Sequence, residues 1–334
     1  MSYRLVALAG ALALMSLAPL EGQTKPKNWT VPRTPDGKPD LQGVWTNATL
    51  TPLERPETAN GKATLTDAEA AVWEQKSIEA VVKYDGKAEN PFADAAGSGG
   101  TGGYNALFVD RGSELARVDG VKRTSLVVDP PDGKIPPITA EARARNQAMM
   151  RNFNRFDSVK DRPIGERCLL SFGNSSGPVM LPVLYNNNYQ IVQTPDTVLI
   201  LVEMVHDARI IRMNGRMNAT HAPSSVRQWL GDSIGHWEGD TLVVDTTNFN
   251  SQVRLRGSSE NLHVIERFTR VDQNNILYHA TVEDPTTFSK PWTVEYPFVA
   301  TKGPIYEYAC HEGNYAMTDI LGGARKADEA KEKK

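Results

Sequence analysis

The chain has 334 residues, of which 40% are hydrophobic and 23% are charged, and its formal net charge at pH 7 is -3. With a pI near 6.1 and no dense block of lysine and arginine, the chain lacks the positive surface that nucleic-acid binding requires. We therefore expect no nucleic-acid partner.

The first 22 residues predict a secretory signal peptide. Arg4 gives a short positive start, and an unbroken run of apolar and small residues extends from Leu5 to Leu20. This run is shorter than the roughly 20 residues of a membrane span, and no later stretch approaches that length. An uncleaved membrane anchor is the alternative. We expect a periplasmic or secreted protein that has no membrane span after signal cleavage.

Two helices and a flexible segment are predicted ahead of the main strand series. A short alternating strand runs from Leu41 to Thr46. Thr66 and Glu69 form the capping box of a helix that reaches Tyr84. Residues 85–104, rich in glycine, have too little apolar area to offset their ordering entropy, so they predict a flexible loop. The second helix, from Ala140 to Phe153, follows later in the chain.

Most of the remaining chain alternates with a period of two, in short runs separated by turns of Gly, Asn, Asp and Pro. The predicted strands are Thr124 to Val128, Tyr189 to Gln193, Val198 to Met204, Arg209 to Met213, Gly235 to Trp237, Leu242 to Asn248, Leu262 to Val271, Ile276 to Glu283, Thr293 to Phe298 and Pro304 to Ala309. Consecutive hairpins pair antiparallel, and closure hides the edges of so many strands. The pattern predicts a mainly β fold, an antiparallel up-and-down barrel with two or three peripheral helices.

The domain organisation follows from these elements. The expected segments are a signal peptide (1–22), a lead-in with the first strand, one helix and the flexible loop (23–119), the barrel domain (120–325) and a charged tail (326–334).

Cys168 and Cys310 are the only cysteines. In an oxidising compartment such a pair is most simply a disulfide. The alternative is a nucleophilic or metal-binding Cys310, since His311 and Glu312 follow it directly.

Two resemblances add to this interpretation. Gly43, Val44 and Trp45, followed by the meander, resemble the start of lipocalin and calycin barrels, which implies a cup-shaped cavity for a small apolar or amphipathic ligand. Four motifs are similar to a group of secreted bacterial proteins of unassigned chemistry, which implies export. They are Glu203-Met-Val-His206-Asp207-Ala-Arg209, Trp229-Leu-Gly-Asp232-Ser, Trp237-Glu-Gly-Asp240-Thr-Leu-Val-Val and Tyr306-Glu-Tyr-Ala-Cys310-His311-Glu312-Gly-Asn314-Tyr315.

A first group of candidate catalytic residues lies between two predicted strands, where barrel loops carry function. His206 is the candidate base, Asp207 or Glu203 would orient it, and Arg209 would stabilise developing anionic charge. The alternative is an ordinary polar turn with Asp207 and Arg209 paired on the surface.

A second polar group follows the last predicted strand. His311 or Glu312 is the candidate general acid, and because successive side chains on a strand alternate, we expect only one of the two to face the cavity. We expect Tyr306, Tyr308 and Trp237 to contact the ligand.

The strand from Ile276 to Glu283 has one apolar face and one mixed face. Packed with its apolar face outward, it would place His279 and Glu283 inside the barrel as ligand-binding residues. With the apolar face as the barrel core, both would lie outside.

These groups predict an extracytoplasmic enzyme that performs cofactor-free general acid/base chemistry, such as hydrolysis, elimination or isomerisation, on a small molecule in the barrel cavity. The alternative is a non-catalytic, lipocalin-like protein that binds a small ligand. We expect no metal, because the histidines lack the spacing of common metal motifs.

Overall fold

The computed structural model describes residues 29–84, 110–152, 155–171, 177–214 and 220–333. These residues form a mainly β protein with a closed nine-stranded barrel, a small three-stranded sheet and three helices. The predicted signal peptide and the whole of the glycine-rich loop lie outside the described residues. None of the helices in the described part of the chain is both long enough and apolar enough to cross a membrane.

The elements follow one another along the chain in a simple order. They are β1 (Gly43–Thr46), β2 (Thr64–Leu65), α1 (Asp67–Tyr84), β3 (Arg117–Val118), β4 (Val121–Arg123), β5 (Val127–Asp129), α2 (Ala140–Asn152), β6 (Asn188–Gln193), β7 (Thr197–Val202), β8 (Ala208–Met213), β9 (Asp232–Glu238), β10 (Thr241–Thr247), β11 (His263–Arg270), β12 (Asn275–Glu283), β13 (Trp292–Ala300) and α3 (Ala316–Glu332).

Nine strands form the barrel, in the order β1-β6-β7-β8-β9-β10-β11-β12-β13. β1 also pairs with β13 and so closes the barrel, with Trp45 opposite Ala300. The strand predicted from Pro304 to Ala309 is not formed, so this prediction is wrong. A short strand near the start of the described chain fills that position. β5 also pairs with β13, and β2, β3 and β4 form the separate sheet.

One strand pair departs from the predicted antiparallel order. β8 and β9 pair in parallel, with Ile211 opposite Ser233, so the barrel is mixed. Residues 214–231 connect these two strands, and a connection of a dozen or more residues is what a parallel pair needs in order to cross over. The sequence predicted hairpins throughout because their local turn signals cannot reveal the path of a long connection.

The first two helices begin as predicted, and the third was missed. Thr66 and Glu69 form the capping box of α1, with the Glu69 amide donating to Thr66 Oγ1 at 3.3 Å and the Thr66 amide donating to Glu69 at 2.9 Å. Thr139 caps α2 by accepting from the Ala142 amide at 3.1 Å. Most of the predicted charged tail, residues 326–334, belongs to α3, which ends at Glu332.

The barrel interior is filled by side chains. Four aromatic rings pack together there: Phe298 contacts Tyr189 at a centroid distance of 5.4 Å and Tyr278 at 5.0 Å, and Tyr278 contacts Phe268 at 5.1 Å. All four side chains are almost completely buried. Aromatic pairs at these distances stabilise a core beyond the area that they bury. The implied cup-shaped cavity is therefore occupied by the protein's own core.

A polar network is enclosed within this core. Arg209 donates to both carboxylate oxygens of Glu266, one at 2.9 Å, and the two side chains are 2% and 0% exposed. Ser233 and Thr246 accept further bonds from the guanidinium at 3.1 and 2.9 Å, and the Tyr278 hydroxyl donates to Glu266 at 2.8 Å. Because buried charges are tolerated only when they are paired and hydrogen-bonded, this network fixes β8 against β11.

The segment around Met180 covers one side of the aromatic core. The hydroxyl of Tyr296 donates to the Met180 carbonyl at 2.5 Å, and the Met180 amide donates to the hydroxyl of Tyr278 at 3.2 Å. Asn47 donates to the same carbonyl at 2.6 Å. Residues 179–181 are therefore tied to the aromatic side chains of the barrel interior.

The predicted disulfide is confirmed. Cys168 and Cys310 are bonded, with their Cα atoms 5.8 Å apart. The alternative of a free nucleophilic or metal-binding Cys310 is therefore wrong. The bond joins the segment that follows α2 to the segment between β13 and α3.

Candidate functional site

The strand β12 presents its apolar face to the core. Ile276, Tyr278 and the other apolar residues of that face are fully buried, whereas His279 and Glu283 are only partly buried and lie on the opposite face. The arrangement that would place His279 and Glu283 inside the barrel is therefore wrong, and the alternative with the apolar face as core is the one observed.

Glu203, predicted to orient a catalytic base, is buried and fully engaged in structure. Its carboxylate accepts from the side chain of Asn188 at 2.7 Å and from the backbone amide of Tyr306 at 3.0 Å. These two bonds attach the segment after β13 to the start of β6. Glu203 thus holds the segment after β13 in place, which is a structural role that its buried position explains.

His206 contacts the same segment after β13. Its Nδ1 lies 2.7 Å from the carbonyl oxygen of Tyr308, so Nδ1 carries a proton and Nε2 is left as an acceptor in the neutral ring. Val205 and His206 both have left-handed backbone angles, with φ of 64° and 50°, which are costly for residues with a Cβ. Burial raises the pKa of the neighbouring Asp207.

The remaining candidates of this group divide between core and surface. The guanidinium of Arg209 lies in the barrel interior with Glu266, so it neither serves the exposed His206 as an anion clamp nor pairs with Asp207 on the surface. His311 and Glu312 are exposed on the tail. Tyr306 is 67% exposed, and Tyr308 is partly buried against the core.

A chain of alternating charges on the outer barrel wall was missed by sequence reasoning. We call it the outer histidine chain, and in order its members are Arg212, Asp232, His221, Asp245, His263 and Glu283. Asp245 accepts from Nε2 of His221 and from Nε2 of His263, each at 2.8 Å. His263 lies opposite Glu283 in the register of β11 and β12, so the strand alternation contained this pairing signal.

The outer histidine chain makes stability depend on pH. The hydrogen bond between His263 and Asp245, reinforced by Glu283, raises the pKa of His263 above 6.5 despite partial burial. Burial alone would raise the pKa of Asp245, but the bonds from His263 and His221 hold it below 3.8. The stabilisation from charged His263 is thus complete below about pH 6.5 and is lost as the pH rises through the raised pKa. The part from Asp245 is lost only in strong acid.

We therefore expect His263→Gln to lower the free energy of unfolding by about 1 kcal/mol near pH 5.5 and by less near pH 8.5. Urea denaturation at the two pH values measures this difference. His279→Gln is the matched control: burial lowers the pKa of His279, so its replacement should become more favourable as the pH falls. Equal losses for His263→Gln at both pH values would contradict the charged pairing.

Two histidines with both ring nitrogens bonded to carboxylates are anchored groups that have no free base position. In the described ranges, no three or more His, Cys, Asp or Glu side chains are grouped as ligands for a metal ion. The outer histidine chain fastens residues 220–222 to the wall, since the Ala222 amide also donates to Asp232 at 2.7 Å. Its chemistry is structural.

One cavity lies outside the barrel, next to the segment that covers the aromatic core. Its volume is about 720 Å³, within the range of roughly 300–1,000 Å³ that small-molecule sites occupy. Three remote stretches of the chain supply most of its lining: residues 49–53, residues 181–184 and the arginines of residues 254–256. We call it the arginine cleft.

The arginine cleft combines an apolar wall with positive charge. Its apolar residues include Leu53, Leu126, Leu181, Val183 and Leu184, and its charged residues are Arg111, Arg254 and Arg256. No aspartate, glutamate or histidine is among the described residues that line it. None of the catalytic residues predicted from sequence lines it either, so the sequence did not locate this site.

Local backbone geometry positions two of these arginines. Arg254 and Arg256 flank Leu255, which is 1% exposed, so burial of the leucine fixes the backbone between them. Arg256 has a left-handed φ of 52°. The turn is held from α2, because Arg145 donates to the carbonyl of Gly257 at 3.3 Å. The Arg-Leu-Arg alternation is visible in the sequence, but by itself it does not indicate a cavity.

One of the predicted ligand-binding residues lines a second cavity. Trp237 lines a cavity of about 190 Å³ near the turn between β6 and β7, together with His236 and Lys38. This volume is below the usual range for a ligand of drug size. The arginine cleft is therefore the stronger candidate.

Comparison with known proteins adds nothing to the geometry: no protein family matches the chain, and no curated protein or solved structure is similar to it.

Proposed function

We propose that the protein is an extracytoplasmic binding protein for a small amphipathic molecule, held in the arginine cleft. The observation that carries the proposal is the cleft itself, about 720 Å³ in volume, with an apolar wall and convergent charged residues. The disulfide supports an oxidising compartment. Because aromatic side chains fill the barrel, the ligand is expected on the barrel's outer surface and not in a lipocalin-like cup.

Binding fits the cleft better than catalysis does. General acid/base chemistry needs a group that exchanges protons near neutral pH within reach of the substrate, and the described lining contains threonine, serine and arginine as its polar side chains. Arginine stays protonated in proteins, so it binds anions without transferring protons.

The acid/base enzyme remains a second candidate, at a different place. It is favoured by the contact between His206 Nδ1 and the Tyr308 carbonyl, which leaves Nε2 as an acceptor on an exposed ring. A ligand recovered unchanged after incubation with the protein supports binding alone. Conversion that disappears in His206→Gln would favour the enzyme.

We expect Val183→Trp to raise the dissociation constant of a neutral solvatochromic dye by roughly tenfold or more, because the indole would occupy the cleft. Val183 lines the cleft and, although it packs against the core, is only partly buried, so the cavity offers space for the larger side chain. Fluorescence titration measures the binding, and circular dichroism checks that the variant is folded.

The matched control is Ile210→Trp, since Ile210 is 59% exposed on the barrel wall. This variant should bind the dye as the wild type does. Unchanged dye binding by a folded Val183→Trp protein would contradict the proposed site.

A further inference from the structure

Two of the arginines that line the cleft, Arg254 and Arg256, form no ion pair with any described carboxylate, although most of the described buried or half-buried arginines do. Arg209 pairs with Glu266 and Arg162 with Glu166. Uncompensated guanidinium groups beside an apolar wall are complementary to an anion.

Arg254 carries the sharpest signal. Its Nη1 atom is fully buried and has no hydrogen-bond partner among the described residues. Buried polar atoms are almost always paired, and leaving one unpaired is costly. Burial first, and then the positive charge of Arg145, lowers the pKa of Arg254. Among the described residues, no negatively charged partner offsets these two effects.

The ligand's headgroup can be deduced from the number and type of donors. Arg111 joins Arg254 and Arg256 in the lining, and burial lowers its pKa as well. A planar guanidinium donates in a fork that matches two oxygens of a tetrahedral or planar oxyanion. Arg254 and Arg256 together match a headgroup with two negative charges better than a single carboxylate.

The ligand's body can be deduced from the opposite wall. Leu53, Leu181 and Val183 supply apolar surface within the same cavity, and burial of an alkyl or aryl group there contributes about 25 cal/mol per Å². Serine and threonine hydroxyls in the lining, such as Thr49 and Ser77, can donate to further oxygens of the headgroup.

We propose that the arginine cleft binds an organic phosphate monoester, with its dianionic headgroup on Arg254 and Arg256 and its apolar body against Leu53, Leu181 and Val183. This inference rests on the proposed binding function and specifies its ligand class. The phosphate would accept hydrogen bonds from the donors of Arg254 and Arg256 that line the cleft, and it would supply a negative charge that the described residues lack there.

The test compares hexyl phosphate with hexanol, hexanoate and inorganic phosphate by isothermal titration calorimetry on the full oxidised protein. Hexyl phosphate should bind at least about tenfold more tightly than each of the other three, because it alone combines the dianion with the alkyl chain. Arg254→Gln should remove most of the preference for hexyl phosphate over the other three probes. Arg256→Gln, at an exposed position, tests the same charge where folding is not at risk.

Arg267→Gln is the matched control, since Arg267 lies on the outer wall, where it pairs with Glu238. It should bind all four probes as the wild type does. Equal affinities for hexyl phosphate, hexanoate and hexanol, or a preference for phosphate that survives both cleft variants, would overturn the inference. In that case, a neutral dye that still binds and is excluded by Val183→Trp keeps the proposed function, whereas the failure of every probe rejects both.

Discussion

Arg209→Met is expected to lower the free energy of unfolding by about 3–5 kcal/mol, because it leaves the carboxylate of Glu266 buried without its partner. Glu266 is completely buried, and after the substitution only the Tyr278 hydroxyl would still donate to it among the side chains described here. Urea denaturation followed by tryptophan fluorescence and circular dichroism measures the loss.

The double variant Arg209→Met with Glu266→Leu is the control for this network. Removing both charges avoids the unpaired carboxylate, so the double variant should be more stable than Arg209→Met alone by about 2 kcal/mol or more. A single variant as stable as the wild type would show that the ion pair lies in contact with solvent, against the burial of 2% and 0% seen for its two side chains.

Replacing Cys168 and Cys310 together by serine is expected to lower the free energy of unfolding by about 4 kcal/mol. The bond closes a loop with a sequence separation of 142, and the constraint that such a long loop places on the unfolded chain accounts for a loss of this size. Urea denaturation of the oxidised wild type and of the double variant measures it.

The control for the disulfide is a reducing agent. Reductant should destabilise the wild type to a similar extent and leave the double serine variant unchanged. The tail between β13 and α3 is also held by Glu203 and by His206, so these contacts should keep the reduced protein folded under mild conditions. Two titratable thiols in the denatured, unreduced protein would contradict the bond.

The hairpins of the barrel could be predicted from sequence because their signals are local. On β12 the alternation of Ile276, Tyr278 and Ala280 with partly polar neighbours corresponds to the observed burial, and the short turns fix which strands pair. Closure could not be predicted in detail. β1 has only four residues, and its pairing with β13 joins residues remote in sequence.

Arg209 shows where local polarity misled the interpretation. It follows a polar turn, which favoured a surface or rim position, but it also shares the inward face of β8 with Ile211 and Met213. The period of two therefore did contain its burial. What the period could not supply was the partner, because Glu266 reaches Arg209 only through the curvature of the barrel.

The arginine cleft lies beyond the reach of any local pattern. It forms where residues 49–53, 181–184 and 254–256 meet on the barrel surface, and nothing in these segments individually distinguishes a cavity from an ordinary loop. The predicted disulfide needed only chemistry and compartment. The cleft needed the packing of three segments far apart in sequence.

The most direct test of the binding account is a crystal structure of the oxidised protein with hexyl phosphate. We expect the phosphate to lie within hydrogen-bond distance of the Arg254 guanidinium and the alkyl chain to lie against Leu181, with the barrel interior still filled by its aromatic side chains. A ligand seated among the aromatic rings of the barrel, or at the exposed His206, would contradict it.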